Sequence, residues 1–254
     1  MKSRRLTEME GYILTHGSAT MDELRGAFGI SMNTVRRDIA ELVRGGRVEK
    51  VYGGVKAIEK VQLLVPYSVR SSSPSRTKQA IGRAAGEMVR DGDIVFIDSG
   101  STTLHIMEAI KDKQITVITN NIEVMIRALD HENIRLIVVP GEIHRKTYSI
   151  TGEDSAAFLS HMNTNIAFMA ATGLSMNSVT NSSPLEYSIK KTAVAHTEKA
   201  VLLVTGSKFG VTSLLTYASL DQFHTVITDS SIPPEYRQKL EDMRIGQKIV
   251  ESAE

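Results

Sequence analysis

At 254 residues the chain has room for one large or two ordinary domains, and 41% hydrophobic against 23% charged residues is the balance of a globular protein with a real core. With no cysteine, disulfides, thiolate metal sites and cysteine nucleophiles are excluded. No window is apolar enough for a bilayer span, and Lys2, Arg4 and Arg5 do not lead into a signal-peptide core, so a cytoplasmic location is expected.

The net charge of +1 hides an asymmetry. Residues 1–56 hold ten Lys and Arg against seven Asp and Glu, and the remainder holds 20 against 22. A modestly basic head on a slightly acidic body suits a DNA-reading module joined to something else.

In the head, Leu6, Met9, Ile13 and Leu14 space out a first helix ending near His16-Gly17. Thr20 and Glu23 fit a capping box for a second helix over 20–27. Phe28-Gly29-Ile30 is a tight turn in which Gly29 takes positive φ. Ser31 then reads as the N-cap of a third helix, 31–44, with Val35, Ile39 and Leu42 on one apolar stripe. Ser31, Asn33, Thr34, Arg36 and Arg37 lie in its early turns. A capped helix, a glycine turn and a second capped helix make a helix-turn-helix, whose second helix enters the major groove N-terminus first. Either arginine can read a base or clamp a phosphate. Asp38 more plausibly orients an arginine or a neighbouring helix.

Gly45-Gly46 ends this helix, and residues 47–55 read as a short hairpin with Val48 and Val51 inward and Gly53-Gly54 in the turn or exit. Arg47, Lys50 and Tyr52 could lie along the DNA backbone or minor groove, although Tyr52 could equally close a small core with Val48.

The run Ser31-Met32-Asn33-Thr34-Val35-Arg36-Arg37-Asp38 and the following Gly53-Gly54 resemble the DNA-binding domain of the DeoR family of bacterial transcriptional regulators. Its recognition helix reads Ser, two variable residues, Thr, a β-branched residue, Arg-Arg-Asp, followed by a β-wing. The resemblance implies a winged helix-turn-helix over 1–56.

Residues 57–76 are Ser-rich and carry Pro66 and Pro74, which predicts an interdomain linker. Ser75-x-x-Lys78 and Ser188-x-x-Lys191 match the bare pattern of penicillin-binding enzymes, but the companion motifs are missing.

From 77 to 254, β-branched runs at 94–97, 115–118, 134–139, 166–169, 201–204 and 225–228 alternate with helical patterns near 78–89, 103–110, 122–129, 184–195 and 235–243. Unalternated strands between helices predict an α/β domain with a mostly parallel sheet, and ligands in such sheets sit beyond the carboxyl ends of strands. Those ends are polar here. Asp98, Ser99, Gly100, Ser101, Thr102 and Thr103 follow the first strand as a cradle for phosphate or carboxylate. Thr119-Asn120-Asn121, Pro140-Gly141-Glu142 and Thr205-Gly206-Ser207-Lys208 follow later strands, and Lys208 adds a point positive charge. Glu186 and Lys190 are possible ligand contacts or an i,i+4 surface pair. The seven histidines show no metal spacing, and His105 reads as a satisfied, non-ligand side chain.

Residues 98–103, Thr119-Asn120, Gly141 and Ser207-Lys208-Phe209-Gly210 also resemble the DeoR family's C-terminal sensor domain. That domain's fold is similar to ribose-5-phosphate isomerase and CoA-transferase-like folds. The resemblance implies effector-binding roles for Asp98, Ser99, Gly100, Ser101, Thr102, Thr103, Thr119, Asn120, Asn121, Gly141, Glu186, Lys190 and Lys208. It departs from the family pattern at Pro140, Ser175, Ser178 and Thr205.

The expected protein is a repressor of a carbohydrate-utilisation operon that binds double-stranded operator DNA. Its effector is a phosphorylated sugar or sugar acid, and it is a homo-oligomer, dimer or tetramer, with no cofactor, metal or catalytic residue. The alternative is a sugar-phosphate isomerase or CoA-transferase-like enzyme with a DNA-binding head, using Asp98 and Glu186 as its acid and base.

Overall fold

A computed structural model of the chain describes residues 5–6, 8–10, 12–13, 18–46, 48–57, 60–62, 67, 70 and 75–251. Two compact units emerge, Met1–Lys60 and Val61–Glu254.

The first unit contains a helical N-terminal stretch, β1 (Ser18–Thr20), α1 (Met21–Phe28), α2 (Met32–Arg44), β2 (Val48–Val51) and β3 (Gly54–Ala57). The helix starts are set locally. Thr20 Oγ1 accepts from the Glu23 amide at 3.2 Å and the Glu23 carboxylate accepts from the Thr20 amide at 2.7 Å, completing the capping box. Ser31 Oγ accepts from the Thr34 amide at 3.3 Å. Gly29 takes φ 59° and Gly46 takes φ 72°, so glycine provides the left-handed residue after each helix.

Val35 and Ile39 pack with Met9, Ile13, Leu24, Val48 and Val55 into the unit's own core. Each such side chain contributes about 1.5–3 kcal/mol of hydrophobic stabilisation. The strands pair antiparallel in the order β1-β3-β2. A Cβ at Gly54 would fall 2.3 Å from the Ala19 carbonyl oxygen, so only glycine lets β3 lie this close to β1.

Val51 was expected inward and is not. It is 44% exposed, whereas Val48 is fully buried. Side chains alternate along a strand, so positions three apart face opposite sides, and the inward partner is Val55 of β3. Leu14, His16, Gly17 and Arg47 lie outside the described residues.

The second unit begins with α3 (Arg76–Gly86), capped by Ser75 Oγ, which accepts from the Lys78 amide at 3.3 Å. Seven strands form one parallel sheet: β4 (Ile94–Ile97), β5 (Ile115–Thr119), β6 (Ile134–Val138), β9 (Thr164–Ala170), β12 (Thr197–Leu203), β14 (Thr225–Asp229) and β15 (Gly246–Val250). The intervening numbers belong to a hairpin, β7 (Glu142–His144) and β8 (Ser149–Thr151), and to a small antiparallel sheet, β10 (Gly173–Ser175), β11 (Ser178–Asn181) and β13 (Leu215–Ser219). Helices α4 (Ile122–Ala128), α5 (Glu153–Ser160), α6 (Pro184–Ala195) and α7 (Pro234–Asp242) complete the unit.

Both faces of the sheet are buried. Phe96, Ala167, Met169 and Leu202 face a core shared with Ile189 and Ala193 of α6. Ile97, Phe168, Val201 and Leu203 face a second core shared with Ile81, Ala84 and Ala85 of α3. That explains the unalternated apolar runs in the strands. Among the described residues no helix is long and apolar enough to cross a membrane.

Strand order is β15-β14-β12-β9-β4-β5-β6. The chain starts in the middle at β4, builds outward to β6, and then crosses back to build the other half from β9. Connections therefore diverge between β4 and β9, and that divergence opens a crevice at the carboxyl ends of these two strands. The polar loops after several strands meet there.

Candidate functional site

On the first unit, Arg36, Arg37 and Asn33 are exposed and project from the opening turns of α2. Ser31 is exposed and serves as the cap, and its hydroxyl also meets Thr34 Oγ1 at 2.9 Å. Asp38 is buried and accepts from Arg5 Nε at 2.8 Å, so it ties the N-terminal helical stretch to α2. Lys50 is exposed on β2. Tyr52 is fully exposed in the β2–β3 turn and closes no core. Helix start and wing thus present cations and hydrogen-bonding groups to solvent, which is what reading a duplex requires.

In the second unit a cavity of about 200 Å³ opens at the crevice between β4 and β9. Its walls include Ser99, Gly100, Ser101 and Thr102 after β4, Ala170 to Thr172 after β9, and Asn181 and Ser182 after β11. Glu186 and Lys190 of α6, Thr205, Ser207 and Lys208 after β12, and Arg70 and Lys78 complete it.

Asp98 lies beneath this cavity, fully buried. Its carboxylate accepts from the Ser99 amide at 2.8 Å, the Ala170 amide at 2.9 Å, and Lys190 Nζ. Burial pushes the Asp98 carboxyl above its ordinary range, and the Lys190 ammonium opposes that shift. Lys190 also donates to the Ala170 carbonyl at 3.2 Å and lies 5.5 Å from the Tyr217 ring centroid.

Glu186 and Lys190 do not form a surface pair: both are buried, at 4% and 1% exposure. Glu186 accepts from Ser99 Oγ at 2.6 Å, Ser149 Oγ at 3.1 Å and Asn181 Nδ2 at 3.2 Å.

The remaining sequence-derived side chains do not line the cavity: Thr103, Thr119, Asn120 and Asn121 are fully buried and bond to backbone carbonyls behind it. Thr103 Oγ1 donates to the Asp98 carbonyl at 2.7 Å, and Asn121 Nδ2 donates to the Asp98 and Gly100 carbonyls at 3.3 Å. Thr119 Oγ1 donates to the Ile97 carbonyl at 2.6 Å, and Asn120 Nδ2 to the Ile150 carbonyl at 3.3 Å. A Cβ on Gly100 would sit 2.6 Å from that of Ala170, so glycine lets the loop press against β9. Gly141 lies away from the cavity, in a groove with Thr151 and Gly152.

Of the departures from the family pattern, only Thr205 lines the cavity. Ser175 and Ser178 pair with each other across the β10–β11 turn. Where the family carries an acid before Ser207-Lys208, the Gly206 amide instead donates to Asp229 Oδ2 of β14 at 2.7 Å.

Sequence reasoning missed Arg70 and Lys78, which face the same end of the cavity as Lys208. Burial holds all three below their usual basicity; Arg70 lowers Lys78 further, Arg70 and Lys78 lower Lys208 further, and Glu186 and Asp98 act in the opposite direction on Arg70. Lys78 Nζ also donates to the Arg70 carbonyl at 2.6 Å. Three desolvated cations thus line one small volume. In the sequence Lys78 stands out only in the dismissed Ser75-x-x-Lys78 pattern and at the start of the helix expected near 78–89.

Comparison with known proteins identifies the architecture. Residues 5–61 match the model of the DeoR-like helix-turn-helix domain, and residues 73–230 match that of the DeoR C terminal sensor domain. The chain belongs to the DeoR family. It is 43% identical over 248 residues to the HTH-type transcriptional regulator IolR of Bacillus subtilis (strain 168), covering 97% of this chain and 98% of that protein. It is 26% identical over 242 residues to the glycerol-3-phosphate regulon repressor of Escherichia coli (strain K12), covering 94% and 93%. Ribose 5-phosphate isomerase A from Methanocaldococcus jannaschii is similar over 52% of this chain and 53% of its own, at 17% identity and a TM-score of 0.38.

As a DeoR-family member the chain is a DNA-binding transcriptional regulator, not an enzyme. Asp98, the acid of the enzyme alternative, is held by Lys190 and two backbone amides.

His105, beside the cavity loop, packs against Gly82 and opens on a groove lined by Gln79, Arg83, Glu108 and Arg127. Burial, then the charges of Arg127 and Lys78, lower its pKa to about 4 from 6.5. Between those values the unfolded chain binds a proton that the folded chain refuses, so this contribution is complete above pH 6.5 and is lost as the pH falls toward 4. His105→Gln should therefore flatten the fall of the melting temperature across that window; an unaltered pH profile would place the acid sensitivity elsewhere.

Proposed function

We propose that the protein is a cytoplasmic repressor of a carbohydrate-utilisation operon, released from DNA by a phosphorylated sugar or sugar acid. The observation that carries this reading is the cluster of Arg70, Lys78 and Lys208, three desolvated cations that line one cavity, with Arg70 and Lys78 both acting on Lys208. An anion there relieves the repulsion. Glu186, Asn181 and Thr172 line the rest of the cavity and suit the hydroxyls of a polyol. Ser99, Ser101 and Thr102 add hydrogen-bonding groups beside the cations. The Escherichia coli relative is named as the repressor of a glycerol-3-phosphate regulon.

In this account Asn33, Thr34, Arg36 and Arg37 meet the major groove, with Lys50 and Tyr52 of the wing beside it. The protein acts as a dimer or tetramer, so two heads must match two half-sites. The effector prefers one arrangement of the sensors and DNA prefers another, which couples the two by linkage.

A thermal-shift panel of pentose and hexose phosphates, run beside the unphosphorylated sugars, tests the reading. A ligand at one hundred times its Kd stabilises the native state by about 2.7 kcal/mol, a rise of roughly 5–10 °C for a chain of this size. Only phosphorylated compounds should give it, and Lys78→Ala with Lys208→Ala should remove it. Equal shifts by the unphosphorylated sugars, or retention of the shift in that double variant, would refute the anion site.

A further inference from the structure

Tyr67 and Arg70 follow Lys60, the last residue of the first unit, by seven and ten positions. Both are held by the sensor. Arg70 lines the cavity, and its guanidinium carbon lies 5.5 Å from the centroid of the Tyr67 ring, within cation–π range. The buried Tyr67 ring stacks on Tyr148, with centroids 5.3 Å apart and planes inclined by 20°. The Tyr67 amide donates to the Lys146 carbonyl at 2.9 Å.

Tyr148 closes the turn between β7 and β8 with φ 56°, a left-handed conformation that bulky residues rarely adopt. Its amide donates to the His144 carbonyl at 2.9 Å, and its carbonyl accepts from the Ile122 amide at 3.3 Å. The next residue, Ser149, reaches the cavity lining too: its Oγ donates to Glu186 at 3.1 Å. This turn is therefore fastened to the cavity twice, once through a cation and once through a carboxylate.

We infer that Arg70 binds the anion of the effector, and that the Arg70–Tyr67–Tyr148 stack passes occupancy of the cavity to the backbone that follows the DNA-binding unit in the chain. The inference rests on the anion reading of the cavity. An anion shared by Arg70, Lys78 and Lys208 fixes the guanidinium. The fixed guanidinium holds the Tyr67 ring against Tyr148, and the Tyr67 backbone is steadied with it. Lys78 acts in the same direction, because it donates to the Arg70 carbonyl. Arg70 is then a binding residue, and Tyr67 and Tyr148 are positioning residues for the response.

Amide hydrogen exchange of the full chain, with and without inorganic phosphate at constant ionic strength, tests this. In the wild-type chain phosphate should slow exchange in loop 98–103 and also at Tyr67 and Tyr148, by about fivefold or more. Arg70→Lys keeps the charge but loses the planar guanidinium. It should retain slowing in loop 98–103 and lose it at Tyr67. Tyr148→Leu should show the same split, and Tyr148→Phe, which keeps the stack, should restore the wild-type response. Slowing confined to loop 98–103 in the wild-type chain would overturn the relay while leaving the anion site standing. No slowing anywhere, at any phosphate concentration, would remove the anion site and the relay together.

Discussion

Replacing Arg36 and Arg37 together with alanine is expected to weaken operator binding by at least about thirtyfold, since a good arginine contact is worth about 1–3 kcal/mol and two are lost. Both side chains are exposed on the opening turns of α2, and neither belongs to the head's core of Val35, Ile39 and their neighbours. The double variant should therefore fold normally and keep its response to sugar phosphates. Affinity is best measured by fluorescence anisotropy on duplexes selected from a random library with the wild-type chain. The salt dependence then separates the two roles. Loss of a phosphate contact lowers the slope of log K against log salt by about 0.9, whereas loss of a base contact keeps the slope and flattens sequence preference. Wild-type affinity in the double variant would contradict the assignment of α2 as the reading helix.

The second large effect lies under the cavity. Lys190→Met removes the cation from a carboxylate that is itself fully buried. Breaking one side of such a pair costs about 3–5 kcal/mol, because the remaining charge has no solvent to turn to. For a chain of this length that is a fall of roughly 6–20 °C in melting temperature. Asp98→Asn combined with Lys190→Met removes the stranded charge and should recover most of the loss. The recovery distinguishes an electrostatic cause from a packing defect, since both variants lose the same lysine. A single Lys190→Met variant as stable as the wild type would show that Asp98 carries no charge needing compensation.

Much of the fold is readable locally, and the reasons are physical. Capping at Thr20 and Ser31, the glycine turn at Gly29 and the stripe of Val35, Ile39 and Leu42 each depend on residues within one or two helical turns. The doubly buried strands announce themselves because a sheet covered on both faces needs no polar alternation. Strand β15, Gly246–Val250, was not legible: it sits at the sheet's edge and mixes Gln247 and Lys248 with Ile249 and Val250. Helix α5, Glu153–Ser160, was also missed, having no side-chain cap to mark its start. The helix expected over 103–110 is a 3₁₀ segment, Thr103–Ile106, that runs into the α-turn Met107–Ile110.

The cavity was half legible. Loop 98–103 shows its polarity at a strand end, where a ligand crevice is expected. Spacing alone cannot tell a surface Glu–Lys pair from Glu186 and Lys190, because i,i+4 geometry is common to both. The distinction is made by Ser99, Ser149, Asn181 and Asp98, all remote in sequence. Arg70 lies in a breaker-rich stretch with no periodicity to interpret, and Lys78 stands at the start of α3 like any solvated lysine. Only the tertiary structure brings both to Lys208.

In the proposed function, anion binding among Arg70, Lys78 and Lys208 governs release from DNA. The most direct measurement is anisotropy of a selected operator duplex titrated with the sugar phosphates that raise the melting temperature, for the wild-type chain and for Lys78→Ala with Lys208→Ala. The wild-type complex should dissociate as the sugar phosphate is added, while the variant binds the duplex equally well and stays bound. Release of the variant at the wild-type concentration, or no change in the wild-type complex with any compound that binds, would contradict it.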